Sequence, residues 1–450
     1  MSESVKIVSK RKTSVTREGL ADFRFTEKDL PELLDSRLQK YHSEAWKAFE
    51  SLPFPRLSDE PWRRTDIRQL QTSQFTVKKH YPNAPKPPER FLEPIVHGKD
   101  RGGEIVSGAV EPIRSLNPDL ESKGVIFLNF HTAEIEHPEL MKRLLGQIIS
   151  PNEDKFTALA AALAQDGVVL YVPKGVVIEE PIHSLYWGTG QHQAFFSHVI
   201  VWLEEGSQVT FLHESASPQP EESSQILHDG IVELYVGNNA KLTFIELQSW
   251  GRNVWSFTRE RARVMGQGTL EWIFGAMGTH LTKNFSDIDL VEPGSSARMS
   301  GFYFTNGTQH LDHDTQQNHL APNTTSDLLY KGALTGASRS VWQGMIYVAP
   351  GAIGTDGYQA NRNLILSKHA HADSIPGLEI LADDVRCTHG ATVGKINEDE
   401  LFYLLSRGIP RDQAEELIVI GFFAPIMERI PFEGVQTRFL EAIRNKMAGR

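Results

Sequence analysis

The stretch HVIVWLEEGSQVTFLHES, residues 198–215, decides how the middle of this chain folds. It contains two short β-rich runs that are separated by a tight turn at Gly206. Such runs on both sides of a glycine-bearing turn are typical of consecutive strands. The same pattern of β-rich runs around a turn recurs in GIVELYVGNNAKLTFIELQSW, residues 230–250, and continues through the centre of the chain. The stretch is therefore one unit of a repeat.

The turns of this repeat are regularly spaced. Gly175, Gly206, Gly237 and Gly268 follow one another at intervals of 31 residues, each at a turn. A repeat of this kind predicts a solenoid, in which each coil covers the hydrophobic face of its neighbour. An antiparallel sandwich or barrel is the alternative, because the same turns would then be hairpins. Helical patterns are almost absent from residues 168–381, which excludes a βαβ arrangement.

Helical patterns flank the β-rich zone on both sides. Residues 26–52 and 137–165 show helical periodicity before it. After it, Asn397 begins a capping-box pattern, and Gly408 ends the helix that follows. We therefore predict three domains: a mainly helical domain at 1–165, a β core at 166–385 and a helical domain at 386–450.

Composition and charge narrow the class of protein. The chain has 450 residues, of which 40% are hydrophobic, and a formal net charge of −11, which argues against binding a nucleic-acid backbone. The longest apolar run, LIVIGFFAPIM at 417–427, is too short to span a bilayer. The N-terminal stretch lacks the apolar region of a secretory signal, so we expect a polar tail there. A single cysteine, Cys387, leaves no internal disulfide and predicts a cytoplasmic location.

Common catalytic motifs do not occur in the sequence. It has no phosphate loop, no dinucleotide-binding glycine motif, no H-E-x-x-H and no G-x-S-x-G. Paired carboxylates, which glycoside hydrolysis requires, occur at Glu179–Glu180, Glu204–Glu205 and Glu221–Glu222. Adjacent residues of a strand point to opposite faces, so we interpret these pairs as solvated edges and turns. A carbohydrate-active enzyme would instead need paired carboxylates along one exposed groove.

The densest polar cluster is QHLDHDTQQNHLAP, residues 309–322. On a strand, alternation places His310 and Asp312 on one face and His313 on the other. His310, Asp312 and His319 together offer two imidazoles and a carboxylate, which suit zinc or non-haem iron. We favour the alternative that they form hydrogen bonds along the wall of the β core or at an interface.

The one cysteine lies beside a histidine in DDVRCTHGATVG, residues 383–394. Positions two apart in an extended segment project on the same side, so Cys387 and His389 present thiol and imidazole together. Both groups ligate iron in iron–sulfur clusters, which take about four protein ligands, so a partner would supply the others. A nucleophile beside its base and a buried structural cysteine are the alternatives.

Longer stretches around this segment resemble one protein family. ADSIPGLEILADDVRCTHGATVGKINEDELFYLLSRGI, residues 372–409, resembles the C-terminal signature of the SufB/SufD family of iron–sulfur cluster assembly scaffolds. The resemblance extends through residues 310–334 and 355–367, and DEPWRRTDI, residues 59–67, is similar to the N-terminal E-x-W-R-x-T-D element of the family. Gly390 makes the chain most similar to SufD, because SufB chains usually read H-E-A at that place.

The resemblance implies a fold and a function. The fold is mainly β, with a right-handed parallel β-helix core between N-terminal and C-terminal helical domains. The function is that of a non-catalytic, SufD-like scaffold that pairs with a SufB-like subunit and a SufC-type ABC ATPase to build and transfer nascent iron–sulfur clusters. A SufB-type subunit and a β-helix carbohydrate-active enzyme are the alternatives. Neither nucleic acid nor membrane is an expected partner, and a homodimer can form when the chain is alone.

The resemblance also assigns residues. His389 is the expected ligand of a transient cluster shared with the partner, and Cys387 is the second candidate. No cofactor is expected to stay tightly bound to the isolated chain. Because His389 lies just before the ATPase-docking helix, motion of the ATPase would reach the cluster ligands. That helix, in DELFYLLSRGIPRD at residues 399–412, would make its contacts through Phe402, Tyr403, Arg407 and Gly408.

Overall fold

Eight coils of a parallel β-helix form the centre of the molecule. Each coil contributes one strand to each of two parallel sheets, so a strand pairs with the strands two before and two after it. The predicted solenoid is therefore confirmed, and the alternative of an antiparallel sandwich is wrong. The structure is a computed structural model that describes residues 20, 22–77, 85–92, 101–110, 112–219, 224–430 and 432–448.

One sheet, called sheet A, begins with a strand that runs antiparallel to its neighbour and continues with eight parallel strands. A further short strand, β1 (Thr76–Val77), pairs with the beginning of β7 (Gln193–Leu203). The order in sheet A is β4 (Ile126–Asn129), β5 (Asp166–Val172), β7, β9 (Ile226–Val236), β11 (Val254–Val264), β13 (Leu281–Leu290), β15 (His310–His319), β17 (Arg339–Val348) and β19 (His371–Ile380).

The second sheet, sheet B, has the same plan, with an antiparallel strand at its N-terminal end. Its order is β3 (Ile113–Leu116), β2 (Gly103–Gly108), β6 (Ile182–Trp187), β8 (Gln208–Ala216), β10 (Lys241–Ser249), β12 (Thr269–Ala276), β14 (Ser296–Thr305), β16 (Thr325–Leu334), β18 (Asp356–Ile365) and β20 (Arg386–Lys395).

In-register pairing stacks equivalent side chains into columns inside the β-helix. Phe211, Phe244 and Trp272 lie in register on β8, β10 and β12 and are fully buried. The rings of Phe211 and Phe244 lie 5.8 Å apart, centroid to centroid. Complete burial of such a side chain stabilises the fold by about 1.5–3 kcal/mol, so each coil depends on its neighbours for stability.

The four glycines with regular spacing all lie at the corner between sheets A and B. Gly175 and Gly206 adopt left-handed backbone conformations with φ of 72° and 68°. At the next two corners Asn239 and Gln267 adopt that conformation instead. Successive corners are hydrogen-bonded to each other, as the Gly206 nitrogen donates to the Asn238 oxygen at 2.8 Å.

Helices cover the outer faces of both sheets. The central helix of the N-terminal zone, α5 (Lys155–Leu163), is buried between α1 (Ser36–Ser51) and sheet A. Helices α7 (Arg411–Met427) and α8 (Glu433–Ala448) pack on sheet B through Phe423 and Phe439. Within the described ranges, no helix combines the length and apolarity that crossing a bilayer requires. The helices are α1 (Ser36–Ser51), α2 (Pro118–Ser122), α3 (Phe130–Glu136), α4 (Pro138–Leu144), α5 (Lys155–Leu163), α6 (Glu398–Ser406), α7 (Arg411–Met427) and α8 (Glu433–Ala448).

The strand ladder runs past both ends of the predicted β core at 166–385. Strands β2 to β4 come from the predicted helical domain at 1–165, and β20 continues the ladder to Lys395. From the sequence, this last strand is assigned to the C-terminal helical domain, because a segment that contains two glycines is typical of a junction between domains. Its pairing with β18 over all ten residues makes it part of the β-helix. The predicted tail at 1–19 and the Glu221–Glu222 pair lie outside the described residues.

Several histidines are buried without charge partners. The pKa of His313 is lowered to about 3 by burial, and its ring lies 5.1 Å from that of Phe274 and 5.6 Å from that of Tyr303. Neither ring nitrogen of His313 has a hydrogen-bond partner. Burial likewise lowers the pKa of His228 to about 3 and that of His319 to about 4.

Replacing His313 by leucine should reduce the acid sensitivity of the fold. Below the ordinary pKa of 6.5, the unfolded chain binds a proton at residue 313 that the folded chain does not, so stability falls as the pH falls. Between pH 7.5 and 5, the free energy of unfolding of the wild type should fall by about 2 kcal/mol more than that of His313→Leu. Urea titrations at the two pH values measure the difference. The exposed His371, changed to leucine, is the control, and equal losses in wild type and His313→Leu would contradict the prediction.

Candidate functional site

The last coil of the β-helix has one uncovered edge. β20 pairs with β18 on one side, and β19 pairs with β17. On the other side of these two strands, the described part of the chain supplies no further strand. Backbone groups along such an edge are free to pair with another chain.

Cys387 and His389 both lie on β20, and both continue buried columns of the interior. Cys387 follows Ser326 and Gly357 in register, and His389 follows Leu328 and Gln359. Thiol and imidazole therefore face the same side, as the two-residue spacing predicts, at the open end of the core. His389 is exposed because no further coil covers its column.

The thiol of Cys387 is half-buried against the end of the core. It packs on the apolar cluster of Ile346, Val348 and Ala352. A Cβ on Gly357 would lie 3.3 Å from both Cys387 Sγ and His319 Nε2, so that glycine separates the two groups. Burial raises the pKa of the Cys387 thiol, opposed by a hydrogen bond with the Gly357 backbone. The thiol is therefore protonated near neutral pH, and binding a metal would release its proton.

Beneath His389 lies an unpaired buried acceptor. Gln359, its partner in register, is fully buried and donates through Nε2 to the oxygen of Gly377 at 2.8 Å. The Oε1 atom of Gln359 has no hydrogen-bond partner. The interior column that ends at His389 is thus polar at its last buried position.

Apolar side chains surround this end of the β-helix. Four of them, each between 37% and 50% exposed, lie on or beside the last two coils. Exposed apolar groups beside an uncovered strand edge can be buried by another chain. We call this surface the terminal rim; it comprises Tyr358, Ile380, Leu381 and Val393. The sequence did not single out these residues, because scattered apolar residues of loops and strands carry no signal until folding gathers them.

The other candidate ligands do not form a metal site. His310 and His319 lie at opposite ends of β15, about 30 Å apart at 3.3 Å per residue. His319 contacts the hydroxyls of Thr324 and Ser326 at 2.7 and 2.8 Å. In the described ranges, no group of three or more His, Cys, Asp or Glu side chains is placed to hold a metal ion.

His310 and Asp312 instead hold the N-terminal zone against the β-helix. The hydroxyl of Thr65, in the segment that resembles the family's N-terminal element, donates to Asp312 and lies 2.9 Å from His310 Nε2. Lys283 Nζ lies 2.9 Å from Asp312 and 3.0 Å from Asp314. All of these groups are buried or nearly so. The sequence offered no sign that Lys283 would join them.

In the part of the chain that the structure describes, paired carboxylates do not line an exposed groove. Glu204 and Glu205 lie at a corner and pair with Arg143 and Lys174 at 3.2 and 2.6 Å. Glu246 and Glu260 form an unforeseen pair that is buried inside the β-helix. Burial raises the pKa of Glu260 to about 7. A polysaccharide cannot reach such a pair. Glu179–Glu180 occupies a bend before β6.

Helix α6 carries two exposed aromatic residues. Phe402 is 70% exposed and Tyr403 57%, and the Arg407 guanidinium lies 5.2 Å from the centre of the Tyr403 ring. Asn397 caps the helix by accepting from the Asp399 nitrogen at 2.9 Å. Gly408 follows the helix in a left-handed conformation, with φ of 84°. Asn397 and Gly408 thus bound the helix as the sequence predicted.

Two family models together match most of the chain. The model described as SUF system FeS cluster assembly, SufBD core domain, matches residues 186–422, more than half of the chain. The model of the SufBD protein N-terminal region matches residues 20–183. This chain belongs to the SufBD family.

Curated SufBD proteins of staphylococci are similar over most of the chain. An iron–sulfur cluster assembly SufBD family protein of Staphylococcus saprophyticus is 30% identical over 71% of this chain and 68% of its own length. That of Staphylococcus haemolyticus is 27% identical over 90% of this chain and 88% of its own length. The resemblance inferred from residues 372–409 and 59–67 is therefore confirmed at the level of the family.

Replacing Thr65 by valine should loosen the N-terminal zone of this SufBD protein. The change keeps the shape of the side chain but removes a donor to the buried Asp312. A buried acceptor that loses its partner costs about 1–3 kcal/mol. Chemical denaturation should show that loss for Thr65→Val and little change for Thr243→Val, a control on the outer face of β10. An unchanged free energy of unfolding would contradict the role given to Thr65.

Proposed function

We propose that this chain is the SufD-type, non-catalytic scaffold subunit of an iron–sulfur cluster assembly complex. In this proposal it pairs with a SufB-type subunit through its last coil and docks a SufC-type ABC ATPase on α6 and α7. The nascent cluster is cargo, held between the two scaffold subunits. A cytoplasmic location accompanies the proposal, since a single unpaired thiol stays reduced there.

The observation that carries the proposal is the combination of groups on the last coil. An uncovered strand edge, the terminal rim, the exposed His389 and the half-buried Cys387 all lie at one end of the β-helix. The edge and rim suit a second β-helix, and imidazole and thiolate suit iron. This chain offers at most two ligands there, so a partner has to complete the set.

Gly390 supports the SufD-type role over the SufB-type role. A Cβ at this position would meet no atom within 4 Å, so packing does not demand glycine there. The local fold would equally accept the glutamate that SufB chains usually carry. Packing therefore does not require glycine at position 390. Its effect is that the last coil lacks the carboxylate that SufB chains usually carry there. The lack of any cysteine besides Cys387 points the same way.

The exposed face of α6 supports the docking of another protein. Phe402, Tyr403 and Arg407 are of the residue types that dominate binding energy at protein interfaces. Leu417 on α7 is 50% exposed and extends the apolar surface. The missing phosphate loop is consistent with an ATPase on a separate subunit.

The connection between α6 and the last coil is short, and α6 is held to sheet B through α7. β20 ends at Lys395 and α6 begins at Glu398. α6 packs on α7, which is held to sheet B where Lys331 Nζ donates to the Phe422 oxygen at 2.6 Å. A displacement of α6 by a bound ATPase would therefore pull on the strand that carries His389.

Replacing His389 by alanine should deplete the cluster without dissolving the complex. The tagged chain is purified anaerobically with its SufB-type and SufC-type partners, and bound iron and sulfide are assayed. We expect a several-fold loss of both in His389→Ala, because one iron ligand is gone. His371→Ala, which removes an exposed histidine from the outer face of the same coil, should change neither.

Two outcomes would contradict different parts of this proposal. An unchanged cluster in His389→Ala would contradict the role of His389 as a ligand and leave the scaffold assignment standing. Failure of the wild-type chain to co-purify with either partner would contradict the assignment itself.

Replacing Phe402 by alanine should weaken binding of the ATPase subunit. Loss of a central aromatic contact costs about 2 kcal/mol or more, which lowers the affinity at least about thirtyfold. Titration of the purified ATPase against the chain measures this, and Phe402→Ala should keep the wild-type melting temperature because the side chain is exposed. Leu34→Ala, at a fully exposed leucine before α1, is the control. Equal affinities for wild type and Phe402→Ala would place the docking surface elsewhere.

A further inference from the structure

A large cavity lies between sheet B, helix α8 and the segment at residues 85–91. Its volume is about 480 Å³, within the range of small-molecule sites. The lining strands belong to β6–β14, several coils away from His389 on β20. The cavity is therefore separate from the last coil, and a ligand bound in it would add a function to the cluster scaffold.

Aromatic rings form the walls of this cavity. Trp187 and Trp250 are buried on the β-helix side, and Phe91 lies 5.9 Å from the Trp187 ring. The indole nitrogen of Trp187 donates to the oxygen of Pro85 at 2.7 Å, which holds the segment at 85–91 over the opening. Because Gly275 has no side chain, the floor is recessed beside Phe302. Such walls suit a flat apolar ligand.

Basic side chains that have no carboxylate partner among the described residues line the same cavity. Lys446 Nζ donates to the oxygen of Phe304 and to Gln309 Oε1, and burial lowers the pKa of Lys446 to about 7, so this amine is only partly charged near neutral pH. Lys86 and Arg90 are exposed at the rim, and neither forms an ion pair with a described residue. The two carboxylates in the lining are Glu214, which Arg438 neutralises at 2.7 Å, and Glu441. This excess of positive charge is unexpected in a chain whose net charge is −11.

We propose that this cavity binds an amphipathic organic anion, with a flat apolar ring against the aromatic wall and an anionic group facing Lys86 and Arg90. A carboxylate, sulfonate or phosphate would meet there two cations that have no ion-pair partner among the described residues. The apolar ring would replace water on the walls and gain the energy of that burial.

Two probes that differ only in charge test the proposal on the full chain. 8-Anilinonaphthalene-1-sulfonate has an apolar ring system and an anionic group, and N-phenyl-1-naphthylamine is the same ring system without the sulfonate. Fluorescence titration should show saturable binding of both, with the sulfonate bound at least about tenfold more tightly at low salt. Equal affinities, or no saturable binding of the sulfonate, would overturn the proposal.

Charge reversal at the rim tests the role of the cations. Lys86→Glu with Arg90→Glu should weaken the sulfonate at least about tenfold and leave the neutral probe unchanged. Lys123→Glu with Lys241→Glu reverses two charges on exposed lysines outside the cavity and should have little effect. A sulfonate affinity that is the same in both double variants would overturn the assignment of the anion to this rim.

Filling the cavity tests its location. Ala442 lines the cavity from α8, so Ala442→Trp should abolish binding of both probes. Ala448→Trp places the same residue on an exposed position of that helix and should not. Full binding by a folded Ala442→Trp would show that the probes bind elsewhere and would overturn the proposal. Should Ala442→Trp fail to fold, the charge-reversal pair decides the matter.

Discussion

In-register stacking of parallel coils is the constraint on which the rest of this molecule depends. Each coil buries the inner side chains of the next, as in the column of Phe211, Phe244 and Trp272, and supplies its backbone partners. At the N-terminal end, the antiparallel strands β3 and β4 cover the stack. At the C-terminal end, the last coil has no such cover among the described residues. The terminal coil is therefore the place where interior columns, and with them Cys387 and His389, become accessible.

The helices that precede and follow the β-helix in the chain determine which outer faces of sheets A and B stay exposed. Helix α5 and its neighbours cover sheet A, and α7 and α8 cover sheet B, each by burying an apolar face that the sheet presents. Buried polar contacts add specificity to this packing, since Thr65, Asp312 and Lys283 fix where the N-terminal segment lies. The same arrangement encloses the cavity beneath α8, whose cations come from segments far apart in sequence.

In the proposed function, the last coil supplies only part of the ligand set of a cluster. Burial keeps the Cys387 thiol protonated, and the imidazole of His389 is exposed at the open end of the core. A cluster bound there would need further ligands and a means of removing a proton. In the proposed complex, an interface with a second scaffold subunit would supply both further ligands and a drier environment, so the proposal is of a transient, shared cluster.

Local patterns in the sequence determined the repeated strands, their glycine corners, the limits of α6 and the common direction of Cys387 and His389, because each depends on residues a few positions apart. The family also followed from contiguous motifs. Only the tertiary structure decided that β20 belongs to the β-helix, that His310 and His319 lie at opposite ends of one strand, and that Lys283 joins Thr65 and Asp312. It alone gathered the terminal rim and paired Glu246 with Glu260. These contacts join residues distant in sequence, and the register of stacked coils, which no short pattern encodes, sets which of them meet.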